Sequence, residues 1–397
     1  MNPVPRLRDY RGPALLSYGF RPFFLFGAIY AGLAVLAWLP IFSGELALST
    51  AFGPIDWHVH EMLYGYLPAV VTGFLLTAIP NWTGRLPIQG TPLLVLVAVW
   101  LAGRVAVIFS AEIGWLLAAI IDVSFLILVI AATAREIVAG KNWRNLRVIV
   151  MVTLLLAGNI AFHLEAHFQG SAEYGARIGI AATVLLLVVI GGRIIPSFTR
   201  NWLARENPGR LPVPFARFDV AVIGLSAATL ALWTAQPMGT ITATALAAIG
   251  ALHIVRLARW AGDRTWRDRL VLVLHVGYVF APFGFLLASA AALGLVPADT
   301  GTHAWMVGAA GTMTLAVMTR ASLGHTGSAL SASAVTQAVY AAIVVAALAR
   351  ICSSLEPAFS ELLLEIAAFA WVAAFFGFAG SFGPLLVGKQ RRAKAAE

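Results

Sequence analysis

The sequence contains very little cysteine and very little charge. Its 397 residues include a single cysteine, Cys352, which excludes an internal disulfide, a Cys-x-x-Cys redox pair and any metal cluster held by several thiolates. Charged residues make up 11% of the chain, whereas soluble domains have about 25%. The chain therefore lacks the polar surface of a water-soluble protein, and the same composition excludes a disordered chain.

Apolar residues dominate instead. They make up 60% of the chain, and the mean hydropathy is +0.85. A helix needs about 20 mostly apolar residues to cross a bilayer, and twelve runs reach about this length. They lie at 20–40, 58–79, 91–110, 113–134, 146–168, 175–196, 216–234, 238–257, 268–290, 302–321, 329–351 and 360–386. Backbone in lipid must satisfy its own hydrogen bonds, so the predicted fold class is all-α, a polytopic membrane helix bundle with about 12 transmembrane helices.

Lysine and arginine are concentrated in alternate connections between these runs. The connections around 85, 135–147, 193–217, 256–269 and 320 are basic, whereas those between them carry almost no Lys or Arg. The terminal segments belong to the basic set, with Arg6, Arg8, Arg11, Lys389, Arg391, Arg392 and Lys394. By the positive-inside rule both termini are predicted to be cytoplasmic. The net charge of +9 therefore indicates topology and contact with the lipid bilayer, not binding of nucleic acid.

The longest predicted connection, at about 195–217, is basic and rich in proline. It divides the chain into six plus six spans, and none of the predicted connections is long enough to hold a soluble domain. The two halves show no convincing internal sequence repeat over their length. We therefore predict a single integral membrane domain over residues 1–397.

Five histidines are predicted to lie at the outer face of the membrane: His58, His60, His163, His167 and His303. His163 and His167 are four residues apart and therefore share one helical face, whereas only one of His58 and His60 can point inward if both are helical. Neutral imidazole is a good ligand for haem iron and copper. These residues are predicted as metal or haem ligands, and the alternative is that they are interfacial residues hydrogen-bonded to neighbours.

Charged and polar residues inside other spans extend this set of candidates. Arg104 and Asp122 lie in neighbouring antiparallel spans, at depths that differ by about 6 Å at the helical rise. They are predicted to form an ion pair. The alternative is that Arg104 binds a haem propionate, because a guanidinium group can bind a carboxylate through two hydrogen bonds. Arg177 is a second candidate for propionate binding. His275 and His325, on the inner side, are predicted ligands of a second site.

Two glycine-rich segments lie near the predicted inner face. GGRIIPSFTR at 191–200 is predicted to end the sixth span at its proline, and the segment at 319–327 is predicted to form a polar turn after the tenth. Both are interpreted either as simple helix ends or as parts of a second polar site, together with His275 and the NWTG segment at 81–84.

Several long strings resemble the NnrS family. They are FRPFF at 20–24, WHVHEMLYGY at 57–66, GFLLTAIPNWTG at 73–84, GGRIIPSFTR at 191–200 and MTRASLGHTG at 318–327. Because these strings run from the first span to the tenth, the resemblance covers essentially the whole chain. It implies a bacterial inner-membrane protein that contains haem, with copper also reported for the family, and a role in the response to nitric oxide and nitrosative stress.

Two classes of function stay open. In the first, the chain binds nitric oxide, or converts it by redox chemistry, at a histidine-ligated haem with a second haem or copper nearby. Its electron donor is not identified by the sequence. In the second, it is a secondary transporter with the six-plus-six outline of that class. The loop at 80–87 lacks the acidic and basic motif typical of such transporters. The histidines also gather at one face instead of the midplane, so the first class is favoured.

Overall fold

A computed structural model describes residues 10–388, apart from the side chain of Arg144, and all regular secondary structure in this range is helical. Eleven helices correspond to predicted spans: α1 Phe20–Phe42, α2 Pro54–Thr83, α3 Thr91–Ile108, α4 Trp115–Ala139, α5 Leu146–Gln169, α6 Glu173–Glu206, α7 Arg217–Ala235, α8 Thr240–Ala258, α9 Arg269–Ala292, α11 Ala334–Leu355 and α12 Ser360–Val387. The remaining predicted span, the tenth, corresponds to α10, which consists of the consecutive helical segments Ala298–His303, Ala304–Gly311 and Thr312–Thr326. The terminal charges Arg6, Arg8, Lys389, Arg391, Arg392 and Lys394 lie outside the described residues.

The predicted membrane helix bundle is confirmed. Eleven helices between residues 10 and 388 are long and apolar enough to cross a membrane. Helix α10 is not among them, because it carries polar residues such as His303 and Arg320 along an otherwise apolar stretch. The cytoplasmic location of the termini stays a prediction.

Two predicted helix ends are wrong. Helix α6 continues through Pro196 as far as Glu206, since one missing N–H group is tolerated in a membrane helix whose neighbours satisfy the freed backbone groups. Helix α10 likewise continues to Thr326, and Gly327, with a φ of +74°, follows its last residue. The central connection is therefore limited to residues 207–216.

The described chain forms two compact units. Among residues 10–388, the first comprises residues 10–179, 318–329 and 375–388, and the second comprises Ile180–Val317 and Leu330–Ala374. Three of the four boundaries therefore fall inside α6, α10 and α12, and the fourth falls in the connection between α10 and α11. None falls in the central connection that separates the predicted six-plus-six halves. Helices α1 to α5 belong wholly to the first unit, and α7, α8, α9 and α11 belong wholly to the second.

Helices α2 and α10 each contain a π-helical segment. In α2 this segment, Glu61–Tyr66, begins directly after His60, and in α10 the segment Ala304–Gly311 begins directly after His303. A π segment places one extra residue in a helical turn and changes the direction of the side chains on its two sides, and such segments are frequent at functional sites.

The two helices also share a short sequence pattern that was not recognised from the sequence alone. Pro-x-Asp-x-x-x-His-x-x-x-x-Gly occurs at 54–65 and again at 297–308. Glycines of positive φ, Gly84 at +69° and Gly327 at +74°, follow the two histidines at the same distance in sequence. The pattern and the shared π segment indicate that α2 and α10 have the same local structure around His60 and His303.

Candidate metal centre

Three buried side chains of the first unit converge on one point. His60 comes from α2, Asp122 from α4 and His163 from α5. His60 Nε2 lies 3.3 Å from Asp122 Oδ2, and His163 Nε2 lies 3.1 Å from the same oxygen. One ligand atom from each residue lies within 4.8 Å of the other two, and the three residues are at most 4% exposed. This His–Asp–His cluster has the donor atoms and the spacing that a single metal ion needs.

Glu61, the first residue of the π segment in α2, fixes the orientation of His60. Its Oε1 lies 2.8 Å from His60 Nδ1, so that this nitrogen donates a hydrogen bond to the carboxylate. Tyr30 donates its hydroxyl hydrogen to the other oxygen of Glu61. A histidine that donates one N–H to a carboxylate presents its other nitrogen in a fixed direction, as metal-ligating histidines do. Here that second nitrogen, Nε2, faces Asp122.

Arg104 joins the two buried carboxylates. Its Nη1 donates to both oxygens of Glu61 at 2.7 Å, and its Nη2 donates to Asp122 Oδ1. The ion pair predicted between Arg104 and Asp122 is therefore present, and both terminal nitrogens are bonded to carboxylates of the site. Two carboxylates against one guanidinium leave one negative charge, which is unfavourable inside a membrane. A metal cation or a protonated histidine would neutralise it.

Asn159 is a member of this site that the sequence analysis missed. Its Nδ2 donates to Asp122 Oδ2 at 2.7 Å, and its Oδ1 lies 3.0 Å from His60 Nε2. The only sequence signal was its position four residues before His163, which places both side chains on one face of α5. Asn159 therefore orients Asp122 through a hydrogen bond, and its amide oxygen lies beside the nitrogen of His60 that faces the centre of the cluster.

A cavity of about 150 Å³ reaches the cluster at His163. It is lined by Ala51, Phe52, Ser110, Trp115, His163, Ala166 and His167. The ring of Phe52 lies 5.0 Å from the ring of His60 and 5.3 Å from that of His163. Because Ala51 and His167 are exposed while His163 is buried, the cavity leads from the surface of the first unit to a ligand of the cluster.

Two of the predicted histidines lie near the cluster without joining it. His58 is half-buried, with its ring 4.4 Å from that of Trp38. Between His58 and His60 it is therefore His60 that points inward, as expected for a helix. His167 is exposed and stacks on Trp115 with a ring distance of 4.1 Å, and both of these residues line the cavity.

Two further predicted residues of the first unit have other neighbours. Arg177 forms an ion pair with Glu173 at 3.5 Å on its own helix. The ring of His325 lies 5.5 Å from that of Tyr18 and 5.6 Å from that of Phe20. Neither residue contacts the His–Asp–His cluster in the described part of the chain.

The predicted ligands of the second unit each have a hydrogen-bonded ring nitrogen. His275 Nε2 lies 2.8 Å from Thr199 Oγ1, and that hydroxyl donates to the carbonyl of Ile195, so Nε2 carries the hydrogen and Nδ1 the lone pair. His303 Nδ1 donates to the carbonyl oxygen of Asp299 at 2.8 Å, which leaves Nε2 with the lone pair. Each histidine therefore presents one lone pair, but on a different nitrogen.

His253, which was not predicted as a site residue, belongs to a separate buried network in the second unit. Arg256 donates from Nε to Asp219 and from Nη1 to the Tyr278 hydroxyl, both at 3.0 Å. Tyr278 in turn donates to His253 Nδ1 at 3.1 Å. His253 Nε2 donates to the Ser226 hydroxyl at 2.9 Å, because that hydroxyl's hydrogen is bonded to its own helix. Both ring nitrogens of His253 are engaged, which makes it a structural histidine.

The His–Asp–His cluster fits a single metal ion and does not fit a haem. Both Nε2 atoms lie within 3.3 Å of Asp122 Oδ2, so the two rings face a carboxylate and not the open space that a porphyrin ring requires. The adjoining cavity of about 150 Å³ is also smaller than the roughly 300–1,000 Å³ of pockets for drug-sized ligands. Two imidazole nitrogens and a carboxylate oxygen suit copper, iron or zinc.

Comparison with known protein families gives one match over nearly the whole chain. Residues 14–390 match the family described as NnrS protein, a range that contains every residue of the cluster and of the cavity. No curated protein matches the chain.

Proposed function

Because the chain belongs to the NnrS family, we propose that it binds nitric oxide at a histidine-ligated metal centre in the bacterial inner membrane. Family membership and the membrane helices give the coarser role, a multi-pass membrane protein of the nitric oxide response. The observation that carries the finer proposal is the convergence of His60 and His163 on one carboxylate oxygen of Asp122.

Each residue of the site has a defined part in this proposal. His60, Asp122 and His163 hold the ion, and Glu61 orients the ring of His60. Arg104 keeps both carboxylates paired in the apolar interior. A copper or iron ion at this position would supply the atom to which nitric oxide binds. Nitric oxide is small and uncharged, and the cavity beside His163 is a suitable route for it.

We propose that the haem implied by the family is bound by histidines outside this cluster. The candidates are His58, His167, His275, His303 and His325. Capture of nitric oxide needs no further partner, whereas its redox conversion requires an electron donor. The cluster thus serves as the second, non-haem metal site of the protein.

Metal analysis of the detergent-purified protein tests this assignment. We expect wild type to contain copper or iron in a fixed ratio to protein, and nitric oxide to change its visible and electron paramagnetic resonance spectra. Asp122→Asn and His163→Ala should lower the affinity for this metal by more than the roughly 10- to 100-fold that is typical when residues around the ligands are changed, because the first removes the charge of a ligand and the second removes a ligand atom. A Soret band that persists in these variants would locate the haem elsewhere.

The matched control is His253→Gln, which changes a histidine of the second unit that is equally buried but fully hydrogen-bonded. It should keep the metal of the cluster. A well-folded wild-type protein without copper or iron after growth with both metals would contradict the proposal and favour a secondary transporter.

A further inference from the structure

Phe52 separates the His–Asp–His cluster from the surface of the first unit. It is 9% exposed, although its sequence neighbours Ala51 and Gly53 are exposed. Its ring contacts the rings of both histidine ligands and also forms part of the cavity wall. A side chain in this position decides how much of the space beside His163 a ligand can occupy.

The segment that carries Phe52 is held in place by hydrogen bonds to the start of a short helical turn, Ser110–Ile113. The Ser110 hydroxyl accepts from the backbone N–H of Ala51 at 2.8 Å, and the N–H of Ala111 donates to the carbonyl of Ser49 at 2.9 Å. Ser110 is itself buried and lines the cavity. The chain directly before Phe52 is therefore anchored at two points to the turn that begins at Ser110.

We propose that Phe52 is the residue that sets the size of ligand able to reach the metal at His163. This inference rests on the proposed function, because it assumes that the ion binds an external ligand. A cavity of about 150 Å³ has room for small molecules, up to roughly the size of benzene, and Phe52 fills the space beyond it. The site therefore admits diatomic gases and other compact uncharged ligands and excludes bulky ones. Removal of the phenyl ring widens the route without changing a metal ligand.

Isocyanides of graded size test the proposal on the metal-loaded, reduced protein. We expect wild type to bind carbon monoxide and methyl isocyanide but to bind cyclohexyl isocyanide at least tenfold more weakly than Phe52→Ala does. Phe52→Leu, which keeps an apolar side chain, should be intermediate and guards against misfolding of the alanine variant. Phe42→Ala, an exposed phenylalanine at the end of α1, is the control and should behave as wild type.

A second arm does not depend on the metal. In a Cys352→Ser background, Ala166→Cys places a thiol on the cavity wall. We expect N-cyclohexylmaleimide to modify it about tenfold faster when Phe52→Ala is also present, while the small reagent methyl methanethiosulfonate reacts at a similar rate in both. Mass spectrometry of the intact protein measures both rates.

The outcomes separate the two proposals. If wild type binds no carbon monoxide but the thiol arm shows the expected size dependence, the proposed metal function fails and the role of Phe52 as the wall stands. If cyclohexyl isocyanide and N-cyclohexylmaleimide reach their targets equally well with and without the phenyl ring, Phe52 does not set the size limit, and this inference is overturned.

Discussion

At the scale of single residues, Gly192 leaves space for the buried guanidinium group of Arg256. A Cβ atom added at Gly192 would overlap the guanidinium group of Arg256, which is 0% exposed and donates to Val188 as well as to its side-chain partners. The glycine pair at 191–192 was interpreted from the sequence as part of a helix end. Its role in the structure is instead to let a large charged side chain pack against the middle of α6.

We therefore predict that Gly192→Ala destabilises the protein. The added methyl group forces Arg256 away from Asp219 and Tyr278, at an expected loss of about 1–3 kcal/mol. Gly224→Ala is the matched control, because nothing lies within 4 Å of a Cβ at that helical position. Thermal unfolding in detergent should show a lower midpoint for Gly192→Ala alone. Equal midpoints for the two variants would mean that Arg256 repacks freely.

Sequence patterns predicted some of the site residues and missed others for a physical reason. His60, His163 and Arg104 were candidates because ionisable groups are rare in membrane spans, and the pair of Arg104 with Asp122 followed from their similar depth. Phe52 gave no signal, since an apolar residue beside a span is ordinary. Which histidine meets which depends on how α2, α4 and α5 pack, and helical spacing within one span does not contain that information.

At the scale of helices, hydropathy predicted where spans lie but not how they are wound. Most predicted ends fall within a few residues of the helix ends in the structure. The π segments of α2 and α10 were not foreseen, because a π segment leaves the hydropathy of a span unchanged. Yet the segment Glu61–Tyr66 lies directly between His60 and the rest of α2, so it controls the direction of a proposed ligand.

Deletions in this segment test that role. Removal of Met62, a half-buried residue, takes out the one extra residue of the π turn, so the segment can return to α-helical winding with His60 in nearly its original direction. Removal of Met62 together with Leu63 takes out one residue more and turns His60 by about 100° relative to the rest of α2. We expect both variants to insert into the membrane and only the double deletion to lose the metal of the cluster, as measured by metal analysis after gel filtration. Retention of metal in the double deletion would mean that this segment does not set the direction of His60.

At the scale of the whole molecule, the charge asymmetry of the loops predicts the side of the membrane on which each one lies. The native cysteine offers a direct measurement, because Cys352 is exposed near the end of α11, on the predicted outer side. In intact spheroplasts we expect a membrane-impermeant maleimide to modify Cys352. A protein with Cys352→Ser and Glu206→Cys, at the end of α6, should react only after permeabilisation. The reverse pattern would contradict cytoplasmic termini.

The buried pair of Arg104 and Asp122 also has a consequence for how the chain is made. Each of these side chains alone opposes the transfer of its helix from the translocon into lipid, by about 2.5–3.5 kcal/mol at the centre of a span. Only residues 109–114 separate α3 from α4, so both helices can wait in the translocon and pair their charges before they enter the bilayer. Biosynthesis should therefore insert α3 and α4 together as a hairpin, although each is apolar enough on average to be counted as a span of its own.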